Sequence, residues 1–316
     1  MPETVREISL HHLTQGIPHW NQWRQAEHQT HPAVFPVHRL DLREAQLYQA
    51  DLPKVDLSRA DCCMIDLRCA NLQQADLHHS LFYTAQLSEA NLQQANLTAA
   101  DFREADLRGA NLSRANLQTA ILSVADLSHA HLREANLTQA TLNHARLSDV
   151  DGCLTNLSQA DLYQADLRRA ELYTANLQKA DLHQACLTHA DLREANFSQA
   201  NLQEVDARNA NLAAGIFALA NLIGATLYQA NLHLANLSMA NLCSANLTSA
   251  RLSDAILFGA NLISANLYQA DLRATIFTDA DLREAILQGA NLQQATLVNA
   301  NLSRANLQNA DLRGAD

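Results

Sequence analysis

Aromatic residues make up only 5% of the 316-residue chain. A core of the usual kind, which draws freely on Phe, Val and Ile, is therefore not to be expected. Prolines stop at Pro53 and there are only eight glycines. No Pro/Gly-rich linker divides the chain, although its length would allow two ordinary domains. There is no run of about 18 apolar residues, which excludes a helical membrane span. The opening stretch, MPETVREISLHHL, lacks a basic segment followed by an apolar one, so no secretory signal is expected. Six cysteines, at 62, 63, 69, 153, 186 and 243, follow no framework spacing. Reduced thiols in a cytoplasmic protein are the simplest reading. The formal charge of −11 favours solubility and argues against general nucleic-acid binding. Charge is itself missing from one region. From Asn211 to Ala270 only Arg251 and Asp254 are formally charged, and GIFALANLIGATL (215–227) has no charge at all.

What is present is a period of five. Cut from Asp41, the chain reads DLREA, QLYQA, DLPKV, DLSRA, and the frame holds to Ala315 without insertion or deletion. That gives 55 pentads, with Leu at the second position in 47. Ala lies two residues before that position in 46 of 55, and Asp or Asn lies between the two in 39. Leu at steps of five would wind around a helix instead of lining one face. A long strand would alternate with period two, and five is odd. Locally, Ala and Leu two apart point to the same side of an extended segment and the Asp or Asn points to the other. The next two residues must turn the chain. The unit is a very short strand plus a corner, with Ala and Leu inside. Repeated corners of one hand give a coil whose backbone groups pair along the axis.

The run ADLRGANLSRANL resembles the pentapeptide-repeat family, with its A-(D/N)-L-x-x consensus, and the resemblance covers residues 40–316. It implies an all-β solenoid, a right-handed quadrilateral β-helix of about 14 coils, and a rod roughly 65 Å long. The segment GIPHWNQWRQ resembles the short helical leader of cyanobacterial members. Two segments are expected: a helical N-terminal cap over 1–40 and the β-helix over 41–316. Val5, Ile8, His12 and Leu13 have helical spacing that stops near Gly16, and Pro18 suits the start of a second helix. A solenoid end needs a cap, and Trp20 and Trp23 are read as its anchors, with a partner or ligand contact as the alternative.

Three irregularities stand out. Gly152 occupies a Leu position, so that Leu154 or a neighbour shifts inward or the coil bulges. Cys62 falls inside and Cys63 outside, with no second Cys or His pair at a zinc-like spacing. The 14 histidines form no arrangement with a nucleophile and an acid. No cofactor, metal or catalytic residue is expected.

If a coil is 20 residues, one outward column reads Asn96, Asn116, Asn136, Asn156, Asn176, Asn196, a ladder of amides. The same column then changes to Ile216, Asn236, Ile256, Ile276, beside Leu219, Met239 and Phe258, with Ile223 and Ile263 on the next face. An exposed apolar strip of this kind usually marks an interaction surface, although Ile at an outward position also simply favours β structure. The expected function is a non-enzymatic, regulatory scaffold for protein–protein interaction, with this strip as the contact. The partner is a protein of unknown identity, with a homodimer through the C-terminal region as one form of it. Direct nucleic-acid or membrane contact is not expected. The resemblance also implies an alternative, an acidic DNA-mimic rod that binds a type II topoisomerase such as DNA gyrase. The 18 Asp at outward positions are compatible with it, whereas the 20 Arg and the neutral Asn column oppose it. An enzyme or metal protein using surface His and Cys is a third class without a supporting motif.

Overall fold

The computed structural model describes residues 11–30 and 40–316. It divides into two compact units, Met1–Arg146 and Leu147–Asp316. Both are built in the same way. Each pentad contributes a single bridging residue followed by a corner, and the bridges are isolated and parallel. They join residues twenty apart: Asp41 to Asp61 in the first unit, Ile216 to Asn236 in the second. Twenty residues are four pentads, so a coil has four sides, and pentads one coil apart stack as rungs.

Backbone accounting explains why so short a unit is stable. In the rung at Asp41, Leu42 N–H donates to Asp61 O (2.8 Å) and Glu44 N–H to Cys63 O (3.0 Å) in the coil above. Asp61 N–H donates back to Leu40 O (2.7 Å), and Ala45 N–H closes the corner on Leu42 O (3.1 Å). Since the first-position N–H, as at Asp61, donates to the coil before, four of the five N–H groups in an interior pentad are used by backbone carbonyls. The remaining one, at the residue after Leu, is taken by the Asp or Asn two positions earlier: Arg43 N–H by Asp41 Oδ1 (3.1 Å), Gln73 N–H by Asn71 Oδ1 (3.2 Å), Ser238 N–H by Asn236 Oδ1 (3.0 Å). This side-chain turn mimics a backbone turn. It is the physical reason for Asp or Asn in the repeat.

The corner residue is left-handed throughout. Its φ lies between 52° and 63° at every non-glycine corner, from Glu44 to Asn309. An L-residue there costs about 1–2 kcal/mol, offset by the ladder bonds on either side of it.

Leu and Ala point inward and are buried along both units. Departures from Leu and Ala trade volume locally. Val205 precedes Ala207, and Ile65 follows Cys62, all four buried. Phe197 and Phe217 stack at 4.8 Å, as do Phe82 and Phe102. A Cβ at Gly215 would lie 2.8 Å from Phe217 Cε2 and 3.0 Å from Leu212 O, so the glycine makes room for the ring. Inward hydroxyls find carbonyls: Ser80 Oγ donates to Leu57 O (2.7 Å) and Thr275 Oγ1 to Leu252 O (2.9 Å). At Gly152 it is the neighbours that fill the gap. Leu172 Cδ2 and Thr155 Oγ1 come within 2.7 and 3.0 Å of where a Cβ would be, while Leu154 stays exposed.

Of the helix expected from Val5 to near Gly16, residues 5–10 lie outside the described residues, and 11–14 are helical. Gly16 follows with φ 96°, and helix α1 spans Ile17–Thr30. Side chains of α1 take up groups of the rung at Asp56. Trp20 Nε1 donates to Asp56 O (2.7 Å), Asn21 Nδ2 to Lys54 O (2.8 Å) and Arg24 Nη2 to Ser58 O (2.5 Å). Asn21 Oδ1 accepts from Asp56 N–H (2.9 Å). Between coils, the carbonyls at the pentad positions of Asp56 and Ser58 accept from the coil before. Trp20 is fully buried, whereas Trp23 is half-buried and stacks on His12 at 4.5 Å.

Candidate interaction surface

One side of Leu147–Asp316, here called side D, comprises the pentads that begin at Asn156, Asn176, Asn196, Ile216, Asn236, Ile256, Ile276 and Thr296 and bridge in that order. Ile216, Leu219, Met239, Ile256, Phe258 and Ile276 are all exposed on it, Leu219 at 57% and Met239 at 54%. Their inward neighbours Phe217, Leu237, Leu257 and Phe277 are buried, so the strip is surplus to the core. Ile223 and Ile263 lie on the next side and are half-buried. Their N–H groups keep the turn bond to Asn221 Oδ1 (3.2 Å) and Asn261 Oδ1 (3.1 Å). The exposed strip is therefore narrower than the sequence suggests.

Isoleucine in the bridging position has a cost. Where Asn stands, as at 196 and 236, it accepts the N–H two residues on: Ser198 N–H and Ser238 N–H, both at 3.0 Å. Where Ile stands, at 216, 256 and 276, the N–H groups of Ala218, Phe258 and Thr278 have no acceptor among the described residues. Each forgone bond is worth about 1 kcal/mol. β-propensity, which spans only about 1 kcal/mol in total, does not clearly outweigh that loss. Met239 bends over Gly259, whose Cβ would come within 2.5 Å of the Met239 sulfur. Gly259 thus combines a left-handed corner (φ 60°) with a notch that the thioether fills.

The amide ladder is real but broken. Asn176 Nδ2 donates to Asn156 Oδ1 (3.2 Å) and Asn136 Nδ2 to Asn116 Oδ1 (3.0 Å), but Asn116 Nδ2 turns to Thr98 Oγ1 (2.9 Å). Comparable bonds run elsewhere, from Asn221 to Asn201 and from Asn71 to Asp51.

Elsewhere much of the Arg charge is paired within the pentad, and some of it between coils, as in Arg114–Glu134 and Arg169–Asp149. Arg68, Arg108, Arg168, Arg193 and Arg273 each lie against the Asp two positions before, at 2.6–2.7 Å. The guanidinium beside it holds the carboxyl of Asp66, Asp106, Asp191 and Asp271 below the ordinary range. These carboxylates stay ionised until the solution is acidic. The stabilisation they contribute is present above the usual carboxyl range and is lost as pH falls through their lowered values.

Cys62 is buried and Cys63 half-buried. Burial, with Asp61 alongside, pushes the Cys63 thiol up to about 11. Since the thiolate is the nucleophile, alkylation of Cys63 at pH 8 is expected to be at least tenfold slower than that of an unstructured peptide thiol, with its rate climbing until about pH 11. Mass-spectrometric mapping of iodoacetamide labelling over time checks this. Among the described residues no group of three His, Cys, Asp or Glu side chains is placed to hold a metal, and no helix is long and apolar enough to cross a membrane.

Comparison with known proteins gives consistent matches. The model for pentapeptide repeats (8 copies) matches in overlapping stretches from residues 41–82 to 275–314. Among solved structures the chain is similar to HetL, a pentapeptide repeat protein involved in heterocyst differentiation regulation from the cyanobacterium Nostoc sp. strain PCC 7120. Identity is 33%, over 65% of this chain and 88% of that one, with a TM-score of 0.45. It is also similar to Rfr23 from the cyanobacterium Cyanothece 51142, at 35% identity over 32% and 60% of the two chains, TM-score 0.17. QnrB1, a plasmid-mediated fluoroquinolone resistance protein, is 19% identical over 57% and 90%, TM-score 0.30. No curated protein matches.

Proposed function

We propose, for a chain that belongs to the pentapeptide repeat family, that it is a non-enzymatic scaffold for protein–protein interaction and that side D of Leu147–Asp316 is its contact surface. The family's fold is the right-handed quadrilateral β-helix, and the four-sided coils agree with it. To this we add about 14 coils from the pentad frame, a β-helical segment over 41–316 and a preceding cap within 1–40, anchored by Trp20 and to a lesser degree by Trp23. The reading places the protein in the cytoplasm, in keeping with six free thiols.

The observation that carries the functional reading is the set of exposed Ile, Leu, Met and Phe side chains on side D, bought with unmade turn bonds. Enzyme sites need convergent polar groups in a concavity, and the described surface instead offers flat columns of repeated side chains. The DNA-mimic reading is weakened by the pairing of Arg with Asp two residues before, because such columns present neutral pairs in place of free acid.

The test rewrites ILFGA as NLSGA, with Ile256→Asn and Phe258→Ser. This restores the pattern of the rung below, NLSMA. The exchange should raise stability by about 1 kcal/mol through the recovered N–H acceptor while lowering affinity for a purified partner at least tenfold. Thermal unfolding and titration calorimetry read the two effects. An unchanged affinity in a folded variant excludes side D as the contact surface.

A further inference from the structure

We infer that side D of Leu147–Asp316 pairs with side D of a second copy, antiparallel, about a two-fold axis lying along the rungs midway between Leu219 and Met239. This deepens the preceding reading, on which it rests, by naming the occupant of the surface.

The corner column of side D reads Lys179, Gln199, Leu219, Met239, Gly259, Asp279. Lys179 and Asp279 are exposed and are the only formal charges on this side from Asn176 to Ala280. No ion pair engages either one among the described residues; Asp279 Oδ1 accepts from Asn299 Nδ2 at 3.0 Å. Five rungs separate them, roughly 24 Å at the spacing of paired strands. The side is thus positive at one end, negative at the other, and apolar or neutral between.

A two-fold axis along the rung direction reverses the order of rungs and keeps corner against corner. With the axis midway between Leu219 and Met239, three pairings follow together. Lys179 of each copy meets Asp279 of the other, Leu219 meets Met239, and Gln199 meets Gly259, whose notch holds the Met239 thioether of its own copy. The bridging column matches in the same register. Ile216, Ile256 and Ile276 fall opposite Asn236, Asn196 and Asn176. The rungs whose N–H groups lack a turn acceptor therefore face rungs that carry a side-chain amide.

The charge balance of this side also permits contact between copies. Two chains of net charge −11 repel. The six rungs of side D carry one positive and one negative charge, which cancel. Opposite charges brought together at both ends fix the register, which is the usual role of charge at an interface. A single side, roughly 29 Å long over six rungs and about three extended residues or roughly 10 Å wide, offers roughly 300 Å², less than the ~800 Å² per partner typical of stable complexes. The expected dimer is weak and depends on concentration.

The test is sedimentation velocity on the full chain over a wide concentration range at low salt, with circular dichroism as the folding control. The wild type should pass from monomer to dimer. Lys179→Glu and Asp279→Lys should each weaken the dimer by about tenfold, since each creates two like-charge contacts. The double variant should recover to within about threefold of wild type. Asp279→Lys lowers the net negative charge, so an unspecific charge effect would strengthen association, the opposite sign. A wild type that stays monomeric throughout, single exchanges without effect, or a double variant as weak as the singles each overturns the pairing. A monomeric wild type whose NLSGA variant still loses a separate partner sinks only this inference. A monomer whose NLSGA variant binds as before sinks both.

Discussion

Exchanging Gly215 for alanine should destabilise the chain by about 2–3 kcal/mol, even though alanine is the residue the repeat prefers at that position. The added methyl would lie 2.8 Å from the Phe217 ring and 3.0 Å from the Leu212 carbonyl oxygen. The carbonyl is part of the corner and cannot withdraw, because Gly215 N–H donates to it at 3.1 Å. The ring is held against Phe197 at 4.8 Å. Adding Phe217→Leu removes the obstacle and restores the Ala–Leu pair that fills most rungs. The double variant should recover most of the loss, giving a coupling energy of about 1–2 kcal/mol. Urea unfolding of the four proteins in the cycle measures it. Additive effects would mean that ring and glycine do not share the same space.

The second large effect concerns Trp20. Its removal in Trp20→Ala deletes a fully buried indole and leaves Asp56 O without the donor it has at 2.7 Å. Large aromatic-to-alanine exchanges in cores cost about 3–5 kcal/mol. Coils contact only their neighbours, so the damage should stay local. Hydrogen exchange should show lost protection at Asp56, Leu57 and the first coils, with protection in Leu147–Asp316 unchanged. Trp23→Ala, at a half-buried ring stacked on His12, should cost roughly a third as much. Equal effects at the two tryptophans would refute Trp20 as the main anchor.

Much of this architecture is legible from the sequence, for a physical reason. Side-chain volume must alternate in a narrow interior, so Leu and Ala recur at fixed steps and the buried set, from Leu42 to Ala295, can be read off directly. The role of Asp and Asn is harder to see. It emerges only when each backbone N–H is assigned an acceptor and one per pentad is left over. Hence Ile256 reads as a good strand residue in the sequence, whereas in the structure it forgoes the bond that Asn236 makes. The paired charges are hidden in the same way. Arg68 and Asp66 look like members of two separate columns until the guanidinium folds back onto its own pentad at 2.7 Å. Height along the stack alone groups Ile223 and Ile263 with the strip, and their half-burial on the adjoining side depends on how the residue after Leu lies against neighbouring rungs. The match of Lys179 to Asp279 needs both the stacking and a symmetry operation, which no local pattern carries.

The twenty-residue offset of the bridges has a consequence for how such a gene can change. Gaining or losing five codons between Lys179 and Ile216 would leave every pentad intact and the ladder closed. It would nevertheless turn each downstream residue onto the adjoining side, so that Ile216 and Phe258 would no longer line up beneath Lys179. Only steps of twenty codons keep the columns in place. Selection on the surface columns would therefore appear in the gene as a preferred length of insertion, even where no single residue is held constant.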